Sequence, residues 1–159
     1  MEKEFFMTEA LRLANKALEL GEVPIGAIVV LGKEIIGRGY NQPIKSNDPT
    51  AHAEIIAVRE AASNQNNYRL NEAIVYTSLE PCLMCAGAIV QARIKKIIFS
   101  AFDPKAGVLI NNGNLINSAF LNHEVTFEGG LLEAESSKLL KDFFIKKRSQ
   151  RSKEDQMGA

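Results

Sequence analysis

The chain has 159 residues, of which 46% are hydrophobic and 24% charged, the composition of an ordinary folded, soluble domain. No apolar run approaches the roughly 18 residues that a membrane-spanning helix needs, so a membrane-spanning, disordered or collagen-like chain is excluded. The 19 basic and 19 acidic residues give a formal net charge of zero, so a polyanionic partner would have to bind a local patch. The charged N-terminus lacks the layout of a signal peptide, and we expect a cytoplasmic protein.

The first half of the chain predicts a helix, a hairpin and a second helix. Apolar residues recur at helical spacing near the N-terminus, and Gly21 suits the end of that helix. Thr50 follows a polar, proline-containing loop and is a suitable N-cap for the next helix. The predicted elements are a helix over 2–20, strands over 23–30 and 34–40, a loop over 41–50 and a helix over 51–66.

The second half predicts further strands that alternate with helices. Pro81 suits a first helical turn, where its missing N–H is not needed. The predicted elements are a strand over 73–79, a helix over 82–93, a strand over 96–101, a loop with a short helix over 111–122, an edge strand over 124–127 and a helix over 131–147. This order predicts one α/β domain over residues 1–149, with a mixed sheet of about five strands and helices on both faces, followed by a polar, frayed tail over 150–159.

The chain contains only two cysteines and two histidines, and three of these four residues form a metal-ligand pattern. His52 opens one predicted helix, and Cys82 and Cys85 open another. A histidine and two thiolates leave the fourth tetrahedral position of zinc free for water, as in catalytic sites. Two cysteines three residues apart can lie on one side of a helical turn, and the helix N-terminus stabilises their thiolate form. The alternative is a redox-active cysteine pair, which would need no partner such as His52.

Glu54 lies two residues after His52, where it need not bind the metal itself. Its carboxyl group is instead suited to holding the water and moving its proton. Replacement of Glu54 would distinguish this role from a zinc site that only stabilises a scaffold or RNA-binding protein, because a purely structural site has no use for a proton shuttle.

H-x-E followed by P-C-x-x-C is the signature of the zinc nucleobase deaminases. The surrounding sequence resembles the bacterial tRNA-specific adenosine deaminases from the first helix to about Arg148, nearly the whole chain. The segments that carry the resemblance are G-E-V-P-I-G-A at 21–27, D-P-T-A-H-A-E at 48–54, N-Y-R-L at 67–70 and E-P-C-L-M-C-A-G-A-I at 80–89.

The resemblance implies the three-layer α/β/α fold of the cytidine deaminases and a homodimeric enzyme with one zinc ion per subunit and no organic cofactor. The implied reaction is hydrolytic deamination of adenosine to inosine at the wobble position of a tRNA anticodon stem-loop. His52, Cys82 and Cys85 would bind zinc, and Glu54 would activate water and protonate first the purine ring nitrogen and then the leaving amine.

The resemblance also implies substrate contacts. Asn41 would hydrogen-bond the flipped base, Ala53 would lie in the substrate-binding site, and Asp103 would contact the backbone of the flanking nucleotide. An ordinary turn role is the alternative for both Asn41 and Asp103. The candidate RNA contacts are the basic residues Lys105, Lys146, Lys147, Arg148 and Arg151.

Two further features bear on recognition. After Gly107 the chain reads V-L-I-N-N-G over 108–113, where members of the family commonly have small residues such as a Gly-Ser pair. His123, just before the predicted edge strand, is expected to be a solvated loop residue.

The alternative function is a deaminase for guanine, cytosine or another small molecule, which would use the same zinc chemistry.

Overall fold

The computed structural model describes residues 1–117 and 121–158. Helices and strands alternate along most of this length, with a single 3-10 turn at Leu115–Asn117. In chain order the elements are α1 (Glu2–Glu19), β1 (Gly26–Leu31), β2 (Glu34–Tyr40), α2 (Pro43–Ser46), α3 (Ala53–Gln65), β3 (Ile74–Leu79), α4 (Leu83–Gln91), β4 (Lys96–Ala101), β5 (Thr126–Gly129) and α5 (Glu133–Met157).

The five strands form one mixed sheet in the order β2-β1-β3-β4-β5. β1 is antiparallel to both β2 and β3, whereas β3, β4 and β5 run parallel to one another. Parallel neighbours require a crossover, and α4 supplies it between β3 and β4. The carboxyl end of β3 therefore leads directly into the N-terminus of α4, at the edge of the sheet where the cysteines lie.

Helices cover both faces of the sheet, so the predicted three-layer α/β/α fold is confirmed. On one face α1 packs Phe6 and Met7 against Ile98, with Leu139 of α5 at the margin of the same cluster. On the other face α3 and α4 cover the larger cluster, which contains Phe99 at its centre. Complete burial of side chains of this size contributes about 1.5–3 kcal/mol each to folding.

The helix α3 lies unusually close to the edge strand β2. A Cβ atom on Gly39 would overlap the carbonyl oxygen of Ala53, and one on Gly37 would overlap that of Ala57. Glycines at these two positions allow the helix backbone to rest on the strand backbone. The N-terminus of α3, which carries the predicted metal ligand and acid, is thereby fixed against the sheet.

Several predicted boundaries move. β1 begins at Gly26, not at residue 23, and β5 covers Thr126–Gly129 rather than 124–127. The short helix α2 lies inside the loop predicted over 41–50. Gly21 does end α1, with a positive φ of 78° that suits glycine. Residues 118–120 of the predicted loop over 111–122 lie outside the described residues, as does residue 159.

The predicted N-cap of α3 is wrong by two residues, and α4 begins at Leu83, one residue later than predicted. His52 occupies the N-cap position of α3 and Cys82 that of α4, so Pro81 precedes the helix. Thr50 does not cap, because its hydroxyl donates a hydrogen bond of 2.7 Å to Oδ1 of Asp48. Two candidate ligands, His52 and Cys82, therefore lie at the helix ends where backbone N–H groups have no partner within the helix.

The C-terminal region differs from its prediction. α5 continues through Met157, ten residues beyond the predicted end at 147, so residues 150–157 are helical rather than a frayed tail. His123 is half-buried, and its Nε2 donates to the carbonyl of Ile94 at 2.7 Å, so it is not the solvated residue that was expected. Among the described residues, no helix combines the length and the apolar character needed to cross a bilayer.

Candidate metal centre and active site

The three predicted metal ligands lie together where α3 and α4 begin. Nδ1 of His52 is 3.6 Å from Sγ of Cys82 and 3.5 Å from Sγ of Cys85. All of the candidate ligand atoms of these residues lie within 4.8 Å of one another. The side chain of Cys85 is buried, whereas His52 and Cys82 are half-buried, so the group is open on one side.

These separations fit zinc. Tetrahedral coordination with a Zn–N bond of about 2.05 Å and a Zn–S bond of about 2.3 Å separates nitrogen from sulfur by about 3.6 Å. Both nitrogen–sulfur distances agree with that value. Two thiolates and an imidazole are also the donor set of catalytic zinc sites with a free fourth position. The group can therefore hold one zinc ion per chain.

The electrostatics of the group favour a thiolate before a metal binds. A hydrogen bond with Cys85, together with one from His52, lowers the pKa of Cys82 to about 4. The same interaction with Cys82, with burial, raises the pKa of the Cys85 thiol. The neighbouring sulfur of Cys82 also raises the pKa of His52. Two helix N-termini add positive partial charge beside these sulfurs.

Glu54, in the first turn of α3, lies beside this group. Its side chain is 5% exposed, and burial raises the pKa of its carboxyl group to about 7. Hydrogen bonds from its own backbone N–H and from Cys85 act in the opposite direction. A carboxyl group with a pKa near neutrality can both accept and release a proton under physiological conditions.

Asn41 and Ala53 lie next to this centre. Oδ1 of Asn41 accepts the backbone N–H of Ala53 at 2.9 Å, and the Asn41 side chain is 5% exposed. This bond satisfies one of the free N–H groups at the start of α3. It also fixes the orientation of the amide, so that Nδ2 is the atom left to donate elsewhere.

The remaining predicted contacts are divided between two regions. Asp103 and Lys105 lie in the loop between β4 and the 3-10 turn, where Oδ1 of Asp103 accepts the N–H of Lys105 at 3.0 Å and that of Ala106 at 3.1 Å. This is the turn geometry that was the alternative for Asp103. Lys146, Lys147, Arg148 and Arg151 are exposed on the second half of α5.

Two buried acids escaped the sequence analysis. Glu22 is 2% exposed, and its carboxylate accepts the N–H groups of Ile44 at 3.2 Å and Lys45 at 2.8 Å, at the start of α2. Glu80 is 1% exposed and directly precedes Pro81. The signal that could have found Glu80 is its place at the end of an apolar strand, where a charged side chain has to find polar partners.

A metal-ligand group at paired helix N-termini, with a buried acid two residues from the histidine, is typical of the zinc-dependent deaminases. The family model for the cytidine and deoxycytidylate deaminase zinc-binding region matches residues 1–101, and the chain belongs to this family.

Individual proteins of known function show which members of this family the chain is similar to. The chain is 46% identical over 149 residues to the tRNA-specific adenosine deaminase of Aquifex aeolicus, covering 94% of this chain and 98% of the relative. It matches a structure from a study of A-to-I editing by tRNA:A34 deaminases with a TM-score of 0.83 and 41% identity, covering 86% of this chain and 99% of the other. It also matches the guanine deaminase of Bacillus subtilis with a TM-score of 0.61 and 44% identity, covering 62% of this chain and 64% of the other.

Proposed function

We propose that this chain hydrolyses adenosine to inosine, with release of ammonia, at the wobble position of a tRNA anticodon. The observation that supports this most directly is the 46% identity to a tRNA-specific adenosine deaminase over 94% of the chain. The geometry is compatible with it, because an acid and a zinc-competent ligand group share one open-sided site. The catalytic unit is one deaminase domain over residues 1–149.

His52, Cys82 and Cys85 hold the zinc ion in this proposal. When bound, zinc activates water as a nucleophile at neutral pH. Nδ1 is the ligand atom of His52, since this nitrogen faces both sulfurs. The two helix N-termini favour the charged form of a sulfur, and before a metal binds this form lies on Cys82, whose pKa is lowered to about 4.

Glu54 moves the protons of the reaction. Its carboxyl group takes a proton from the attacking water and delivers it to the purine ring nitrogen. It then takes the remaining proton of that water from the hydroxyl group that has added to the ring carbon and gives it to the departing amine, so that water and adenosine become inosine and ammonia. Because the side chain is 5% exposed, bulk water does not compete for these transfers. A zinc site that only stabilised a scaffold would have no need of a buried acid beside the ligands.

Asn41 orients the base through its Nδ2 group, because its Oδ1 is occupied by the N–H of Ala53. Ala53 acts in this scheme by fixing that amide. Asp103 contacts the backbone of the flanking nucleotide, and Lys105 is a further RNA contact. The exposed basic residues Lys146, Lys147, Arg148 and Arg151 contact phosphates, which predicts binding that weakens as salt rises.

The enzyme acts as a homodimer in the cytoplasm. Leu83 and Met84, on the first turn of α4, are 63% and 36% exposed, and a second copy of the chain would remove such apolar surface from water. A tRNA substrate supports the cytoplasmic location.

The test is an assay of purified, zinc-loaded protein with an anticodon stem-loop that carries adenosine at the wobble position. Free adenosine, guanine and cytidine, and a duplex of the same sequence, are assayed in parallel for ammonia and for the deaminated product. We expect inosine in the stem-loop alone, since a base leaves its stack most readily in a single-stranded loop. Equal rates on duplex and hairpin would contradict the argument about base flipping.

A guanine deaminase is the second candidate, and the 44% identity to the Bacillus subtilis enzyme over 62% of the chain favours it specifically. Both functions would use the metal centre and Glu54. They would differ in the residues that bind the substrate around the reacting base. Turnover of free guanine, with no inosine in the stem-loop, would retain the chemistry and replace the substrate.

A further inference from the structure

The carboxylate of Glu80 is buried among hydrogen-bond donors rather than beside a cation. Its Oε1 accepts the N–H of Asp103 at 3.1 Å and Nδ2 of Asn111 at 2.5 Å. Its Oε2 accepts the N–H groups of Leu109 at 3.1 Å, Ile110 at 3.0 Å and Asn111 at 3.3 Å. Five donors thus converge on one side chain that is 1% exposed.

These donors all belong to one segment, residues 102–112, which we call the 102–112 loop. Asp103 lies near the start of the loop and Asn111 near its end, so one carboxylate fastens both ends. Four of the five donors are backbone N–H groups, and the fifth is the side-chain amide of Asn111. The loop therefore surrounds a negative charge that its own backbone stabilises.

The backbone of the loop also fits closely around the carboxylate. A Cβ atom on Gly107 would overlap the carboxyl group of Glu80. The next residue, Val108, donates its N–H to the carbonyl of Pro81 at 3.1 Å. Because Pro81 directly precedes Cys82, the middle of the loop is attached beside a candidate metal ligand.

Two asparagine side chains near the end of the loop take part in the arrangement. Asn111 adds the side-chain donor to Glu80, and Nδ2 of Asn112 donates to the carbonyl of Gly107 at 2.9 Å. Both asparagines belong to the segment 108–113, where the resemblance leads us to expect small residues. The two asparagines therefore add side-chain hydrogen bonds that hold the loop to Glu80 and to itself.

We propose that Glu80, with Asn111 as its side-chain partner, is the positioning residue that sets the shape of the 102–112 loop and through it the affinity for the RNA substrate. The proposal rests on the function proposed above, since it takes Asp103 and Lys105 of this loop as contacts of the RNA substrate. All five hydrogen bonds of the Glu80 carboxylate go to the 102–112 loop and none goes to the metal ligands, so we expect it to act on substrate binding and not on the chemical step.

The test compares Glu80→Gln with the wild type in the stem-loop assay. Glutamine keeps the size of the side chain but offers one oxygen and turns an NH₂ group toward N–H donors. We expect KM for the stem-loop to rise about tenfold while kcat stays within about threefold. Zinc content should remain at one ion per chain. Asn111→Ala should shift KM in the same direction by a smaller factor.

Ile98→Val is the matched control for loss of stability alone. Ile98 is fully buried on the face of the sheet that α1 covers, away from the 102–112 loop. This variant should unfold at a lower temperature with KM and kcat unchanged. An unchanged KM in Glu80→Gln, or a loss confined to kcat, would overturn the proposal.

A second measurement does not depend on the substrate. Trypsin can cleave after the exposed Lys105, and cleavage there reports how firmly the loop is held. Glu80→Gln and Asn111→Ala should be cut faster at this bond than the wild type, and Ile98→Val should not.

If the wild type fails to deaminate the stem-loop, the proposed function is lost, and faster cleavage of the variants still supports the role of Glu80 in positioning the loop. If Glu80→Gln does not fold, unchanged KM and cleavage in Asn111→Ala overturn the proposal.

Discussion

The metal side of the site, residues 52–54 and 82–85, and the 102–112 loop beside it are held in place by different means. On the metal side, the side chains follow from where α3 and α4 begin, which is a matter of local backbone geometry. The loop takes its shape from Glu80, which lies 23 to 31 residues earlier in the chain than its donors. The comparison teaches that reaction chemistry and substrate recognition here depend on separate sets of contacts, which substitutions should be able to separate.

The largest expected effect of a substitution is that of Glu54→Gln on the metal side. Glutamine keeps the shape of the buried side chain but cannot exchange a proton, so kcat should fall by about 10²–10⁴ while KM for the stem-loop changes little. Metal analysis provides the control, since the variant should still bind one zinc ion per chain. Full deamination by this variant would remove Glu54 from the mechanism.

Gly107→Ala should produce the next largest effect, on the loop side. The added methyl group overlaps the Glu80 carboxylate, which five hydrogen bonds prevent from moving, so we expect a loss of about 1–3 kcal/mol in the free energy of unfolding and a higher KM. Thermal unfolding and stem-loop kinetics measure the two consequences.

Gly87→Ala is the matched variant in α4, where an added Cβ meets nothing within 4 Å. It should be neutral or stabilising by up to about 1 kcal/mol, because alanine is the better helix former. If the two alanine variants behaved alike, the close fit around Glu80 would have no energetic importance.

The smallest expected effect concerns the exposed turn at Asp48. The hydroxyl and the N–H of Thr50 lower the pKa of Asp48, so this carboxylate stabilises the fold above its unfolded pKa, and that contribution is lost as pH falls through the lowered folded value. Thr50→Val removes the hydroxyl, and the pKa of Asp48 should rise toward its usual range. Titration of the carboxyl signal by NMR measures the change, and Thr50→Ser should retain the low pKa.

The metal side could be predicted from the sequence because its residues are of rare, distinctive types or lie close to one another along the chain. Only two cysteines and two histidines occur, and the spacing of Cys82 and Cys85 matches one helical turn. The order of strands and helices, and with it the three-layer fold, followed from periodicity and from the resemblance. The N-cap of α3 was misplaced because the hydroxyl of Thr50 is taken by Asp48, a competition that propensity alone does not reveal.

The loop side could not be predicted, since its geometry is a long-range property. Nothing near Glu80 in the sequence indicates that five donors come from residues 103–111, and a run rich in asparagine has no periodicity to interpret. The same holds for His123, whose partner Ile94 lies 29 residues away. An acidic residue at the end of an apolar strand, as Glu80 is, is the sequence feature that indicates a buried charge with distant polar partners.

The second half of α5 has a consequence for the order of unfolding. After Phe143 every described residue of this helix is exposed, and the segment 144–157 is about 21 Å long at 1.5 Å per residue. An isolated helix of about four turns is only marginally stable in water. Its amide protons should therefore exchange with solvent long before those of the central strands, and the basic side chains are carried on an arm whose opening costs far less than unfolding the domain.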